Sequence, residues 1–190
     1  MTRRSKSWTV GILALGAVLV AGGCGPSEDG PGKTSDPSTA QTSLSPDVPA
    51  GFDPCKDIPQ SVLDSEKLRN RGEANSSANG GIKWRGCRYG RTDGYFVSIR
   101  TTNITVEMTR EKNFPETTEF TASGREAIST RQFDGPYIKE ACTVNVEMKH
   151  GSLDFDVSNP PSNRETGSTD ACQLARTLAE KVASAIPAGA

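Results

Sequence analysis

Few residues in this 190-residue chain have side chains suited to chemistry. Its single histidine, His150, lies in "KHGS". Asp154 and Asp156 follow in "LDFDV", two positions apart, so on a strand they share one face. Two carboxylates on one face can divide general acid and base work, and a nearby histidine would add a second base. That combination would suit a hydrolase with an unfamiliar acidic site. Strand alternation, however, puts both aspartates on the solvent side, where solubility accounts for them. His150 beside a glycine reads as an exposed turn residue, lacking the orienting partner that a catalytic base needs. No residue is therefore assigned a catalytic role, and the sequence points away from an enzyme. Five cysteines remain: Cys24, Cys55, Cys87, Cys142 and Cys172. Zinc sites usually draw two ligands from one short knuckle such as Cys-x-x-Cys. The spacings here are long, so no metal site and no cofactor is expected.

Cys24 differs from the other four by its position. Arg3, Arg4 and Lys6 open the chain, Val10 to Ala21 is apolar but for two glycines, and Gly22 and Gly23 are small. Charged, apolar, then small is the pattern of a secretory signal. Twelve apolar residues rise about 18 Å as a helix, short of the roughly 30 Å a bilayer core requires. The small residues followed at once by a cysteine resemble a bacterial lipobox, with Ala21 where leucine is usual. In that motif the cysteine receives a diacylglyceryl thioether and becomes the new N-terminus. Two or three acyl chains anchor stably where one binds marginally. With Cys24 given to lipid, an even number of cysteines is left, as two disulfides in an exported domain require.

The expected organisation is a signal over residues 1–23, a lipidated cysteine with a flexible tether over 24–50, and one domain over 51–187. Gly, Pro, Ser and Thr fill 16 of the 26 positions from 25 to 50. Such a stretch buries too little to offset its ordering entropy, and it would span roughly 30 Å. The signal takes three of the 22 basic residues and none of the 23 acidic ones, leaving 19 against 23, a net charge near −4. With no basic cluster evident, nucleic acid is excluded as a partner.

The elements that would position these residues follow from periodicity. A short helix is expected from Pro59 to about Leu68, with the proline in the first turn. "NRGEANSSANGG" after it reads as a loop. "IKWRGCRYG" and "YFVSIRTT" read as a hairpin, with a bulge at Gly86 returning Cys87 to the Trp84 side. Residues 104–133 are less defined: a short helix in "TVEMTREK" and a strand in "REAISTRQF". "ACTVNVEMKHGSLDFDVS" is a hairpin with one dry face and one wet face. "TDACQLARTLAEKVASAIP" is an amphipathic helix, with Thr169 or Ser168 as its cap and Asp170 favouring its dipole. The fold class is α+β: an antiparallel sheet of four to six strands with the terminal helices on one face. Four cysteines allow three pairings. Cys55–Cys87 with Cys142–Cys172 is favoured, because each bridge ties a terminal helix to a strand, and the crossed pairings stay open.

"FDPCKDIP", the Trp84/Cys87 pair, "ACTVNVEMKHGSLDFDV" and "DACQLARTLAEKV" occur in that order. Together they resemble a family of actinobacterial lipoproteins that carry a domain of unknown function, the domain-of-unknown-function 3558 type. The resemblance covers roughly residues 50–185. It implies a lipid-anchored exported domain and no particular chemistry.

One of Tyr95 and Phe96 must face away from the core, which makes that pair the candidate binding surface. The functional expectation is a membrane-anchored lipoprotein on the outside of the cytoplasmic membrane. It would serve as a non-catalytic binding or accessory module for an envelope protein, a cell-wall component or a small ligand, with the acidic hydrolase as the alternative.

Overall fold

Alternation of apolar and polar residues shapes most of the fold, as the computed structural model of residues 43–190 shows. The signal-like segment, Cys24 and the tether as far as Thr42 lie outside the described residues. The chain forms α1 (Gln60–Ser65), β1 (Leu68–Glu73), β2 (Ser76–Ala78), β3 (Ile82–Arg91) and β4 (Phe96–Thr102). It continues with α2 (Val106–Arg110), β5 (Thr118–Ala122), β6 (Arg125–Thr130), β7 (Ala141–Met148), β8 (Gly151–Ser158) and α3 (Ala171–Ala183). The class is the α+β arrangement expected. The sheet has 8 strands, more than the four to six expected, in the order β1-β3-β4-β8-β7-β6-β5 with β2 also on β3. Every pairing is antiparallel.

The inner face carries the core. Tyr89, Val97, Ile99, Val144, Val146, Leu153, Phe155 and Val157 are all buried. Ala171, Ala175, Leu178, Ala179 and Val182 of α3 pack on them. The small residues let the helix lie close to the strands, while Leu178 and Val182 fill the gaps. Asp170, rather than Thr169 or Ser168, caps α3: its carboxylate accepts from the backbone N–H groups of Cys172 and Gln173.

The first helix is shorter than expected. It ends at Ser65, the chain reverses at Lys67 with φ 55°, and Leu68 enters the core from β1 instead. Val62 and Leu63 still pack against that core beside Phe52 and Ile58. The polar stretch read as a loop holds β1 and β2, because β3 is long enough to pair with both in succession. No bulge occurs at Gly86, where the β3–β4 register runs unbroken from Trp84 to Gly90. Cys87 therefore faces the core and Trp84 the other side. A bulge does occur, but in β1, between Asn70 and Gly72.

The favoured disulfides are the ones present. Cys55 joins Cys87 across 32 residues and Cys142 joins Cys172 across 30. Residues 43–50, read as tether, lie against the domain. The Asn103 amide donates to the Ser45 carbonyl at 2.7 Å, and Lys83 Nζ donates to the Pro46 carbonyl at 2.8 Å. Pro49 is buried. The ordered body thus begins upstream of residue 51. Among the described residues no helix is long and apolar enough to cross a membrane.

Candidate functional site

The sheet's second face, here the outer face, carries the residues with chemistry. Register puts Asn145, Asp154 and Arg100 side by side on β7, β8 and β4. Arg100 donates from Nε at 2.9 Å and from Nη2 at 2.6 Å to one oxygen of Asp154. Asp156 stands 3.5 Å from the same Nη2. The Arg100 guanidinium also lies 5.7 Å from the centre of the Trp84 ring, within cation–π range.

Asp154 is not on the solvent side as expected; its side chain is 5 % exposed, against 50 % for Asp156. The chain after β4 comes back across this face. Ser152 donates to the Ile104 carbonyl, and α2 then crosses β6 and β7. Arg100 closes over the carboxylate from the other side. Burial pushes the Asp154 carboxyl up to about 6, with Asp156 adding to the rise and Arg100 opposing it. The arrangement is a buried acid clamped by a guanidinium, with one accessible acid beside it.

His150 does not join the aspartates. It sits at the β7–β8 turn with φ 67° and lines a groove of about 680 Å³ with Ser43–Pro46, Thr105, Glu107, Glu126 and Glu147. Neither aspartate lines that groove. Glu107 and Glu126 there are both bonded to Arg110, which also takes Glu119. Among the described residues no group of three or more His, Cys, Asp or Glu gathers as a metal site would need.

Tyr95 and Phe96 divide as alternation requires. Tyr95 is wholly buried; its hydroxyl donates to Glu66 at 3.1 Å, and burial first, then the Glu66 charge, raises its pKa. It belongs to the core and not to a surface. Phe96 is 47 % exposed on the outer face, its ring resting over Gly90. Sequence reasoning missed Arg71, Arg88, Arg100 and Trp84 as members of one face. The β4–β8 pairing joins segments distant in the chain, and β1 has no apolar period to mark it as a partner of β3, so no periodicity reports the face.

A disulfide-stapled antiparallel sheet with α1 and α3 on its inner face and a polar, arginine-bearing outer face crossed by α2 defines the class. This chain belongs to the family described as "protein of unknown function (DUF3558)", which matches it over residues 19–185. No curated protein and no solved structure matches it.

Proposed function

We infer that the chain is an exported lipoprotein, held on the outer side of the cytoplasmic membrane by lipid on Cys24. Its stapled domain serves as a binding or accessory module of the cell envelope. The observation that carries this reading is the state of the cysteines. All four in the domain are consumed in two bridges, which form and persist in oxidising compartments. The fifth, Cys24, is the one outside the bridges, directly after the signal-like run. The family match begins at residue 19, so the lipobox-like cysteine falls inside the family's own span.

The binding role is favoured over hydrolysis by the geometry of the acids. Asp154 is clamped by Arg100, and His150 lines a separate groove. Among the described residues, a nucleophile, base and orienting group do not converge around them.

The test is metabolic labelling with a fatty-acid analogue in cells making either the native chain or Cys24→Ala. Label on the native protein and none on the variant is expected. Equal label on both, or on neither, overturns the anchor.

A further inference from the structure

Arg71 and Arg88 stand apart from the other arginines of the described residues. Arg69, Arg91, Arg100, Arg110, Arg131 and Arg164 are paired with carboxylates. Arg85, Arg125 and Arg176 donate to carbonyl or hydroxyl oxygens. Arg71 and Arg88 do neither, although the chain as a whole has more acidic than basic residues. Both are exposed, and both belong to the outer face. Arg88 faces Ser98 across the β3–β4 ladder, and Ser98 faces Asp156 across β4–β8. Arg71 is the bulged residue of β1. Its Nε and the Phe96 ring both lie where a side chain at position 90 would stand, at 3.3 and 2.8 Å from an ideal Cβ. Gly90 therefore leaves a shallow floor with an aromatic ring and a free guanidinium drawn together over it. Among the described residues, no helix packs on the outer side of β3 or β4.

We propose that this strip, running from Arg71 and Phe96 through Arg88 to Asp156, docks an acidic polysaccharide of the envelope whose sugar rings carry carboxylates. Guanidinium forks match planar carboxylates, and unpaired ones have no internal partner to give up. The Phe96 ring offers a flat apolar surface to the C–H face of a sugar. Ser98 and the exposed Asp156 carboxylate suit ring hydroxyls. The strip crosses four strands, about 14 Å, the scale of a few sugar units rather than of one small molecule. A peptide would instead add along a strand edge through its backbone. A membrane surface would call for more apolar area and more basic charge than one ring and two free arginines beside an acid.

This rests on the reading of the domain as a binding module. The polygalacturonate and ester comparison does not depend on the lipid anchor, so either can fail alone. The full-length oxidised protein is titrated calorimetrically with polygalacturonate, with its fully methyl-esterified form, and with vesicles of anionic phospholipid. The variants are Arg71→Gln/Arg88→Gln and Phe96→Ala. Binding to polygalacturonate that weakens with salt, and falls on the order of tenfold or more in the double arginine variant, is expected. Phe96→Ala should lose several-fold, and the esterified polymer should not bind. The double variant should melt with the native protein, since neither arginine has an internal partner. If it does not, the ester comparison on the native chain decides alone. Absence of binding to polygalacturonate, equal binding of the ester, unchanged affinity in a folded double variant, or binding to vesicles alone would each overturn the proposal.

Discussion

The two faces of the sheet come from the same strands, yet they are built on different rules. On β8, Leu153, Phe155 and Val157 point inward, while Ser152, Asp154 and Asp156 point outward. The inner residues meet α3 and are held by apolar burial. The outer ones are held, where they are buried at all, by pairing: Asn145 donates to Ser152, Ser152 to Ile104, and Arg100 to Asp154. Apolar packing tolerates no exposed vacancy but needs no exact partner. Polar burial needs a partner for each group, and only the Thr130 hydroxyl is left without one among the buried side-chain polar atoms described. The inner face therefore carries stability, and the outer face is free to carry recognition.

The sharpest way to break that division is to truncate one aromatic on each side. Phe155→Ala should cost about 3–5 kcal/mol in urea unfolding, because Phe155 is fully buried among close-packed neighbours. Phe96→Ala should cost about 1 kcal/mol or less. Similar losses for both would end the distinction. The disulfides come next, since both clip segments onto inner-face strands. Each closes a loop of 32 or 30 residues, so replacing either pair with alanines should cost about 3–4 kcal/mol in the chain-entropy account.

Asp154 sharpens the comparison through pH. Its carboxyl lies at about 6 in the fold against 3.8 as an ordinary group. Below about pH 4 both folded and unfolded chains hold this proton. Between about 4 and 6 the folded chain keeps it and the unfolded chain has lost it. The folded state then binds more protons, so stability falls as pH rises through that window, by roughly 3 kcal/mol in all, and stays at the lower value above it. Asp170 works in the opposite sense. Burial resists ionisation there, but Arg131 and two backbone N–H groups hold its carboxyl below the usual range, so its contribution is lost as pH falls. The native curve minus that of Asp154→Asn isolates the first effect. A flat difference between pH 4 and 6 would mean that the outer face is wetter than the structure has it.

The smallest expected effect concerns the domain's edge. A chain beginning at Ser43 keeps the Ser45, Pro46 and Pro49 contacts, and one beginning at Gly51 loses them. The shorter chain should melt several degrees lower, for a loss of about 1–2 kcal/mol. Equal melting would restore the tether boundary to residue 50.

Legibility in the sequence follows the same division. The β3–β4 and β7–β8 hairpins, α3 and the inner residues were readable, because burial on one face imposes a period of two or 3.6. The bridges were readable as a preference, because those pairs tie sequence-near terminal elements to strands. β1 and β2 were not, since "RNRGEANSSA" has no apolar period; both are held to β3 by backbone pairing that side chains do not record. Asp154 looked like a solvent residue because alternation says which face it takes and nothing about what later crosses that face. Gly86 looked like a bulge, yet its Cβ would come within 2.2 Å of the Ile99 carbonyl oxygen, so glycine is there for close approach in a regular ladder. The outer arginine strip was illegible because β1, which brings Arg71, has no apolar period, and β8, which brings Asp156, is distant from β4 in the chain.

Peptide mass mapping of the native protein taken from the envelope, digested without reduction, tests the account most directly. It predicts an N-terminal peptide that begins at Cys24 and carries the mass of a diacylglyceryl group, together with disulfide-linked peptides joining Cys55 to Cys87 and Cys142 to Cys172. A chain beginning at Met1 with Cys24 unmodified, or free thiols at the four domain cysteines, would contradict it.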